Sequence, residues 1–128
     1  MEKTMEDARK DYGMHVLQPI LLLPDVAATA AWYQENLGFQ IDFLWGDPPT
    51  HGRVSAARDV AIQFHQSDAM AMGTVLFVHL TEDMDGMFRE CQERGMTLVE
   101  APEVKPWGTR EFQIEDCNGY RLRFAIDA

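Results

Sequence analysis

The strongest constraint on this chain is that its order of elements runs twice. An apolar strand over residues 17–23 is stopped by Pro24-Asp25, where Asp25 can cap a following helix. Val26, Ala30, Tyr33 and Leu37 recur at helical spacing, and Gly38 closes that helix. Phe39-Gln40-Ile41-Asp42-Phe43 alternates apolar and polar residues, as a strand does. Gly46-Asp47-Pro48-Pro49 reads as a loop, followed by strands over 52–57 and 60–66 joined at Arg58-Asp59. After a linker at 67–73 the order returns. A strand over 74–80 precedes a helical stripe of Met84, Met87, Phe88 and Cys91 that ends at Gly95. A short strand over 97–100, a loop over 102–108, and strands over 109–115 and 120–126 joined by Asn118-Gly119 complete the second copy. Leu23 precedes Gly38 by 15 positions, and Leu80 precedes Gly95 by the same 15.

Few residues match between the copies, so the repeat is one of pattern. Its period, near 60, is too long for a solenoid, whose repeats span about 20–50 residues. The predicted fold class is α+β: paired βαβββ modules forming curved mixed sheets. Each sheet is expected to carry its helix on one face and leave the other free for a cleft. Residues 1–14 show no apolar period and are predicted to be a flexible N-terminal arm. Residues 15–128 form one predicted domain, with modules at 15–66 and 74–127.

Composition narrows the partners. The chain has 128 residues, 46% hydrophobic and 25% charged, which suits a globular domain and argues against disorder. Lys and Arg number 11 against 21 Asp and Glu, a net charge of −10. That balance counts against nucleic acid and anionic membrane as partners. It fits a cationic or neutral small ligand, or solubility alone. No apolar run is long enough for a transmembrane helix, and the polar start MEKTMEDARK lacks a secretory signal's apolar region. The two cysteines are too isolated for a disulfide framework. Cys91 falls on a helix stripe and reads as core, Cys117 has no basic neighbour to activate it, and a reducing cytoplasm fits best.

Strand alternation gathers the candidate site. It places Gln63 with His65, Phe77 with His79, Arg121 with Arg123, and Phe43 with Trp45. Each has a plainer reading: strand phenylalanines are often core, and a strand histidine often just bonds a neighbour. Trp45, beside the Gly-Asp-Pro-Pro loop, is expected to be the most exposed tryptophan, whereas Trp32 reads as packed structure. Trp107 sits in a loop and either lines a site or pins the loop over the sheet edge. Arg123 needs a partner, because burying an unpaired guanidinium is costly. His15 and His51 read as solvated, the latter in a loop. No Ser/His/Asp triad, phosphate-cradling glycine loop or zinc cysteine cluster appears.

With these elements in order, Pro19-Ile20-Leu21-Leu22-Leu23-Pro24-Asp25-Val26, the Tyr33…Leu37-Gly38-Phe39 element and Pro106-Trp107-Gly108-Thr109-Arg110-Glu111-Phe112…Asp116-Cys117-Asn118-Gly119 resemble a known family. This is the vicinal oxygen chelate superfamily of glyoxalases, bleomycin resistance proteins and extradiol dioxygenases. The sequence is most similar to the bleomycin resistance group, with Tyr120 standing where that group's tail motif carries Asn. The resemblance spans roughly residues 15–127. It implies a homodimer with ligand clefts across the subunits, and an N-terminal arm or first strand exchanged between protomers. It also implies that Phe43, His65, Phe77 and Trp107 line a groove for a planar aromatic ligand. Asp42, Asp47 and Glu111 could attract a cationic ligand's tail.

Metal-dependent members place His or Gln on the first strand of each module and Glu on the last. The matching positions here hold Gln18, Gln63, the run Thr74-Val75-Leu76, and Arg123, a poor set for a divalent cation. No metal and no cofactor are therefore expected, although His65 and His79 leave a non-standard site open. The expected function is sequestration of a small aromatic or cationic ligand, such as one of bleomycin type, by Phe43, Trp45, Gln63, His65, Phe77, His79, Trp107 and Arg123, with no catalytic residue. The alternatives are a metal-dependent lyase, isomerase or dioxygenase of the same superfamily, or a member acting on an unidentified metabolite.

Overall fold

A computed structural model describes residues 12–57 and 59–128. The first module comprises β1 (Ile20–Leu23), α1 (Val26–Leu37), β2 (Gln40–Gly46), β3 (Pro49–Ser55) and β4 (Ala61–Gln66). The second comprises β5 (Val75–His79), α2 (Met84–Glu93), β6 (Thr97–Val104), β7 (Thr109–Glu115) and β8 (Arg121–Asp127). The strands form two four-stranded mixed sheets, ordered β1-β4-β3-β2 and β5-β8-β7-β6. In each, the first strand pairs parallel with the last and the remaining pairs are antiparallel. This is the expected α+β pair of βαβββ modules. The arm expected at 1–14 falls almost wholly outside the described residues.

Local chemistry sets the helix ends. The Asp25 carboxylate accepts from the Ala28 amide at 2.9 Å, and Gly38 takes the left-handed conformation at φ 71° that ends α1. Asp83 caps α2 by accepting from the Gly86 amide at 3.1 Å. Asp83 itself sits at φ 51°, a region an aspartate tolerates better than most residues.

Two loops expected from the sequence are shorter in the structure. Pro49 already belongs to β3, so the turn is only Asp47-Pro48, and His51 lies on a strand. The loop expected at 102–108 shrinks because β6 continues through Pro102 to Val104. As the outermost strand, β6 can hold a proline without losing a bond between two strands. Register shifts between Leu98 and Glu103 absorb the irregularity.

One face of each sheet carries the core. Leu21, Leu23, Ile62 and Phe64 meet Val26, Ala30 and Tyr33 of α1, and Phe112, Ile114, Leu122 and Phe124 belong to the same continuous cluster. Gly52 permits close approach of α1, since a Cβ there would lie 2.9 Å from a Leu44 methyl and 3.0 Å from a Val26 methyl.

The modules are stitched together at the β7–β8 turn. Tyr33 on α1 donates its hydroxyl to Asp116 Oδ2 at 2.6 Å, while Asp116 Oδ1 accepts from the amides of Asn118 at 2.8 Å and Tyr120 at 3.0 Å. Asn118 donates to Thr29 Oγ1 at 2.9 Å, and the Tyr120 hydroxyl donates to the Leu22 carbonyl. Burial pushes the Asp116 carboxyl up, opposed by these hydrogen bonds, and the Tyr33 phenol is raised by the same burial and by its anionic neighbour.

Asp116→Ala should therefore cost at least about 2 kcal/mol in urea denaturation, since it leaves several buried donors unpaired. Combined with Tyr33→Phe in a double-mutant cycle, it should show a coupling of about 1 kcal/mol or more. Simple additivity would mean that this contact does not join the modules.

Candidate functional site

The faces turned away from the helices carry the chemistry. On the first sheet, β4 buries Ile62 and Phe64 and leaves Ala61, Gln63 and His65 on the open side. β3 buries Gly52 and Val54 and leaves His51, Arg53 and Ser55 there. A bulge between Ile41 and Phe43 opposes both Asp42 and Phe43 to Arg53. The Asp42 carboxylate accepts from Arg53 Nε and from Ser55 Oγ, each at 3.0 Å, and the guanidinium lies 5.8 Å from the Phe43 ring centre. Simple alternation would have put Asp42 on the opposite face from Phe43. Trp45 follows on the same strand, opposite His51.

A polar chain crosses this face. His51 Nε2 meets Gln63 Oε1 at 3.1 Å, and Gln63 donates to Gln18 Oε1 at 3.1 Å. His65 lies directly across from His51, with ring centres 4.2 Å apart, and Phe43 stands edge-on to His51 at 5.1 Å. The expectation that His51 is a solvated loop residue is thus corrected: it is half-buried on β3. The ring next to His65 belongs to His51. His79 is on the other sheet, 3.3 Å from Asp127.

On the second sheet, register aligns Phe77 with Arg123 and Arg123 with Gln113. With its oxygen turned to the guanidinium, the Gln113 amide accepts from Arg123 at 2.9 and 3.2 Å. Glu111 lies 3.7 Å from Arg123 Nε, and these two side chains are the partners that Arg123 requires. Glu111, only 2% exposed, accepts on Oε2 from Trp107 Nε1 at 2.9 Å and from Thr109 Oγ1 at 2.6 Å. Its Oε1 is buried without a hydrogen bond. The Thr109 hydrogen bond leads the effects holding this carboxyl below its usual range, joined by Trp107 and Arg123 against the opposing effect of burial. Glu111 and Asp42 are thus already engaged within the fold, contrary to the expectation that they stand free for a cationic tail. Asp47 lies exposed at the β2–β3 turn.

The aromatic candidates remain uncovered on these faces: Trp45 is 68% exposed, Trp107 66%, Phe77 57% and Phe43 37%. Phe77 and His79 line a cavity of about 460 Å³ with Leu17, Pro19, Val60 and Ile62, where the modules meet. The candidates form two sets, one on each sheet: Phe43, Trp45, Gln63 and His65, then Phe77, His79, Trp107 and Arg123. No hydrogen bond, ion pair or ring contact joins the sets among the described residues. Sequence reading missed His51 and Arg53 as members of the first set. It also missed the bond that fixes Trp107, although Glu111 falls four residues later in the same motif. Cys117 is exposed, and burial of its thiol raises its pKa, consistent with an unactivated thiol.

The positions that carry metal ligands in metal-dependent members of the resembling family do not suit a cation here. Gln18 and Gln63 bond each other, Thr74 donates to the Ala71 carbonyl at 2.7 Å, and Arg123 supplies a positive charge. Among the described residues no group of three or more His, Cys, Asp or Glu is placed to hold a metal, and no helix is long and apolar enough to cross a membrane.

Comparison with solved structures supports this architecture. A glyoxalase-related enzyme from Clostridium phytofermentans aligns with a TM-score of 0.79 at 20% identity, covering 94% of this chain and 100% of that one. TioX from Micromonospora sp. ML1 gives 0.76 at 18% identity, covering 90% and 100%. A bleomycin resistance determinant encoded on transposon Tn5 gives 0.70 at 24% identity, covering 89% and 98%. These likenesses show the fold. No curated protein sequence matches the chain. The model of the Glyoxalase/Bleomycin resistance protein/Dioxygenase superfamily matches residues 14–124, nearly the whole of both modules, and the chain belongs to that superfamily.

Proposed function

We propose that this protein is a binding protein, free of a catalytic metal, that sequesters an aromatic, drug-like small molecule in a cleft between two copies of the chain. The observation that carries the reading is Trp107: two-thirds of it is exposed, yet its indole N–H is anchored to a buried carboxylate. A freely rotating surface tryptophan loses rotamer freedom when a ligand stacks on it. An anchored one has already given that freedom up in folding, so more of the stacking energy appears as affinity.

Ligand capture then needs no covalent chemistry. Trp107 in the β6–β7 turn and Phe77 on β5, with Phe43 and Trp45 on β2, supply flat apolar surface at about 25 cal/mol per Å² removed from water. Arg53 and Arg123 are held by Asp42, Glu111 and Gln113, so they offer fixed hydrogen-bond donors at the edge of that surface. The two sets sit on separate sheets, and a second copy of the chain is the proposed means of bringing them opposite each other. A cytoplasmic homodimer is part of this reading. Likeness to a bleomycin resistance determinant makes bleomycin the first ligand to try.

Titration with bleomycin should quench tryptophan fluorescence saturably, at one ligand per chain and a Kd near 10 μM, about −7 kcal/mol. Trp107→Ala should weaken binding tenfold or more while leaving the far-UV circular dichroism unchanged. Affinity unaffected by that substitution, or absence of saturable quenching, would overturn the reading.

Glu111 generates a second expectation. Its folded pKa is lowered, so its stabilising contribution is present above the usual carboxylate pKa of about 4.3 and is lost as pH falls through the folded value. Urea melts should show Glu111→Gln less stable than the natural protein at pH 7, with the gap closing below about pH 4. A gap that stays constant with pH would exclude the carboxylate charge as its source.

A further inference from the structure

The open face of the first sheet holds a second arrangement, which does not depend on the sequestration reading. His51 and His65 are register partners on adjacent antiparallel strands, so β3 and β4 bring both side chains to one face. Their ring centres are 4.2 Å apart, at an interplanar angle of 74°. Two imidazoles bound side by side to one metal, with metal–nitrogen bonds of about 2.0 Å, have centres about 4.4–5.1 Å apart. The observed spacing is about 0.2 Å short of the lower end of that range.

Protonation favours the same use. Gln63 spends its amide N–H on Gln18, so its oxygen faces His51 and His51 Nε2 carries the proton. His51 Nδ1 then keeps its lone pair. A hydrogen bond from the other ring nitrogen to a fixed acceptor is how proteins commonly orient a metal-binding imidazole. His65 makes no hydrogen bond among the described residues, so a lone pair is available on either tautomer. The nearby cation, Arg53, is paired with Asp42 at 3.0 Å, which offsets its repulsion of a bound metal.

We propose that His51 and His65 bind a divalent transition metal as a two-imidazole chelate, at a place distinct from the positions of Gln18, Gln63 and Arg123. Neutral imidazole pairs select Cu²⁺, Ni²⁺ and Zn²⁺ over Mg²⁺ or Ca²⁺, with Cu²⁺ bound most tightly. With only two protein ligands, the remaining coordination positions go to water.

The test uses the full-length protein, freed of metal with a chelator that is then removed, and titrated with NiCl₂ and ZnCl₂ by calorimetry at pH 7.5. One saturable metal per chain is expected. His51→Ala and His65→Ala should each weaken it at least tenfold, whereas His79→Ala leaves it unchanged. Cu²⁺ electron paramagnetic resonance should show two coordinated nitrogens in the natural protein and fewer in either variant. Circular dichroism confirms that the variants fold, and His51→Asn and His65→Asn replace any variant that does not. Absence of saturable binding below about 1 mM, or binding that survives loss of both histidines, would overturn the proposal. Because metal alone is the probe, a negative result leaves bleomycin capture untouched, and failure to bind bleomycin leaves the chelate untouched.

Discussion

One helix against one four-stranded sheet is the constraint on which the rest depends. Four strands at about 4.8 Å spacing make a surface nearly 20 Å wide with two faces, and a single helix about 10 Å across shields only one of them. The large buried apolar residues of β3, β4, β7 and β8 (Val54, Ile62, Phe64, Phe112, Ile114, Leu122 and Phe124) fall on the helix side, and the two helix-backed cores merge into one cluster. The opposite faces must therefore be stabilised by their own polar pairing or be covered by something else. Both solutions are present. Asp42 with Arg53, and Glu111 with Arg123 and Gln113, settle the polar part, whereas Phe43, Trp45, Phe77 and Trp107 remain open to be covered.

The seam between the modules makes those two faces parts of one body. Without a fixed relation between α1 and the β7–β8 turn, each module would be about 55 residues long, too small to bury much surface by itself. Asp116 provides that relation by satisfying Tyr33 from one module and its own turn amides from the other. Its position explains why a buried carboxyl raised by desolvation is retained there. Its acceptor atoms serve three donors at once, and an apolar residue would leave all three unpaired.

Much of this was legible from periodicity. The equal spacing from Leu23 to Gly38 and from Leu80 to Gly95, the cap at Asp25 and the Asn118-Gly119 turn fix element order and sidedness from local rules alone. What could not be read depended on register. Counted from Phe39 and Ile41 on the core side, alternation sends Asp42 outward and Phe43 inward, yet both meet Arg53, because a bulge adds a residue to the strand without any glycine or proline to mark it. His51 was hidden by the run Asp47-Pro48-Pro49, which looks like a long loop but closes as a two-residue turn. The pairing of Trp107 with Glu111 lay in plain view as two residues of one motif, yet nothing local says that an indole and a carboxylate four apart should meet across a strand end.

The commitments made inside the second sheet also limit what its face can do. Arg123 cannot simply be exchanged for a carboxylate. Its removal would leave Glu111 as a buried charge with one oxygen already lacking a hydrogen bond, and would strip Gln113 of its donor. The charge pattern of that face is thus locked by packing. For the proposed ligand this leaves few free charges beside exposed aromatic rings, which favours recognition by shape and stacking. The indole held by Glu111 is where those demands converge, since the same buried carboxylate that balances Arg123 also aims Trp107. Charge compensation in the sheet and anchoring of the indole of the proposed binding surface are, in this fold, the work of one side chain.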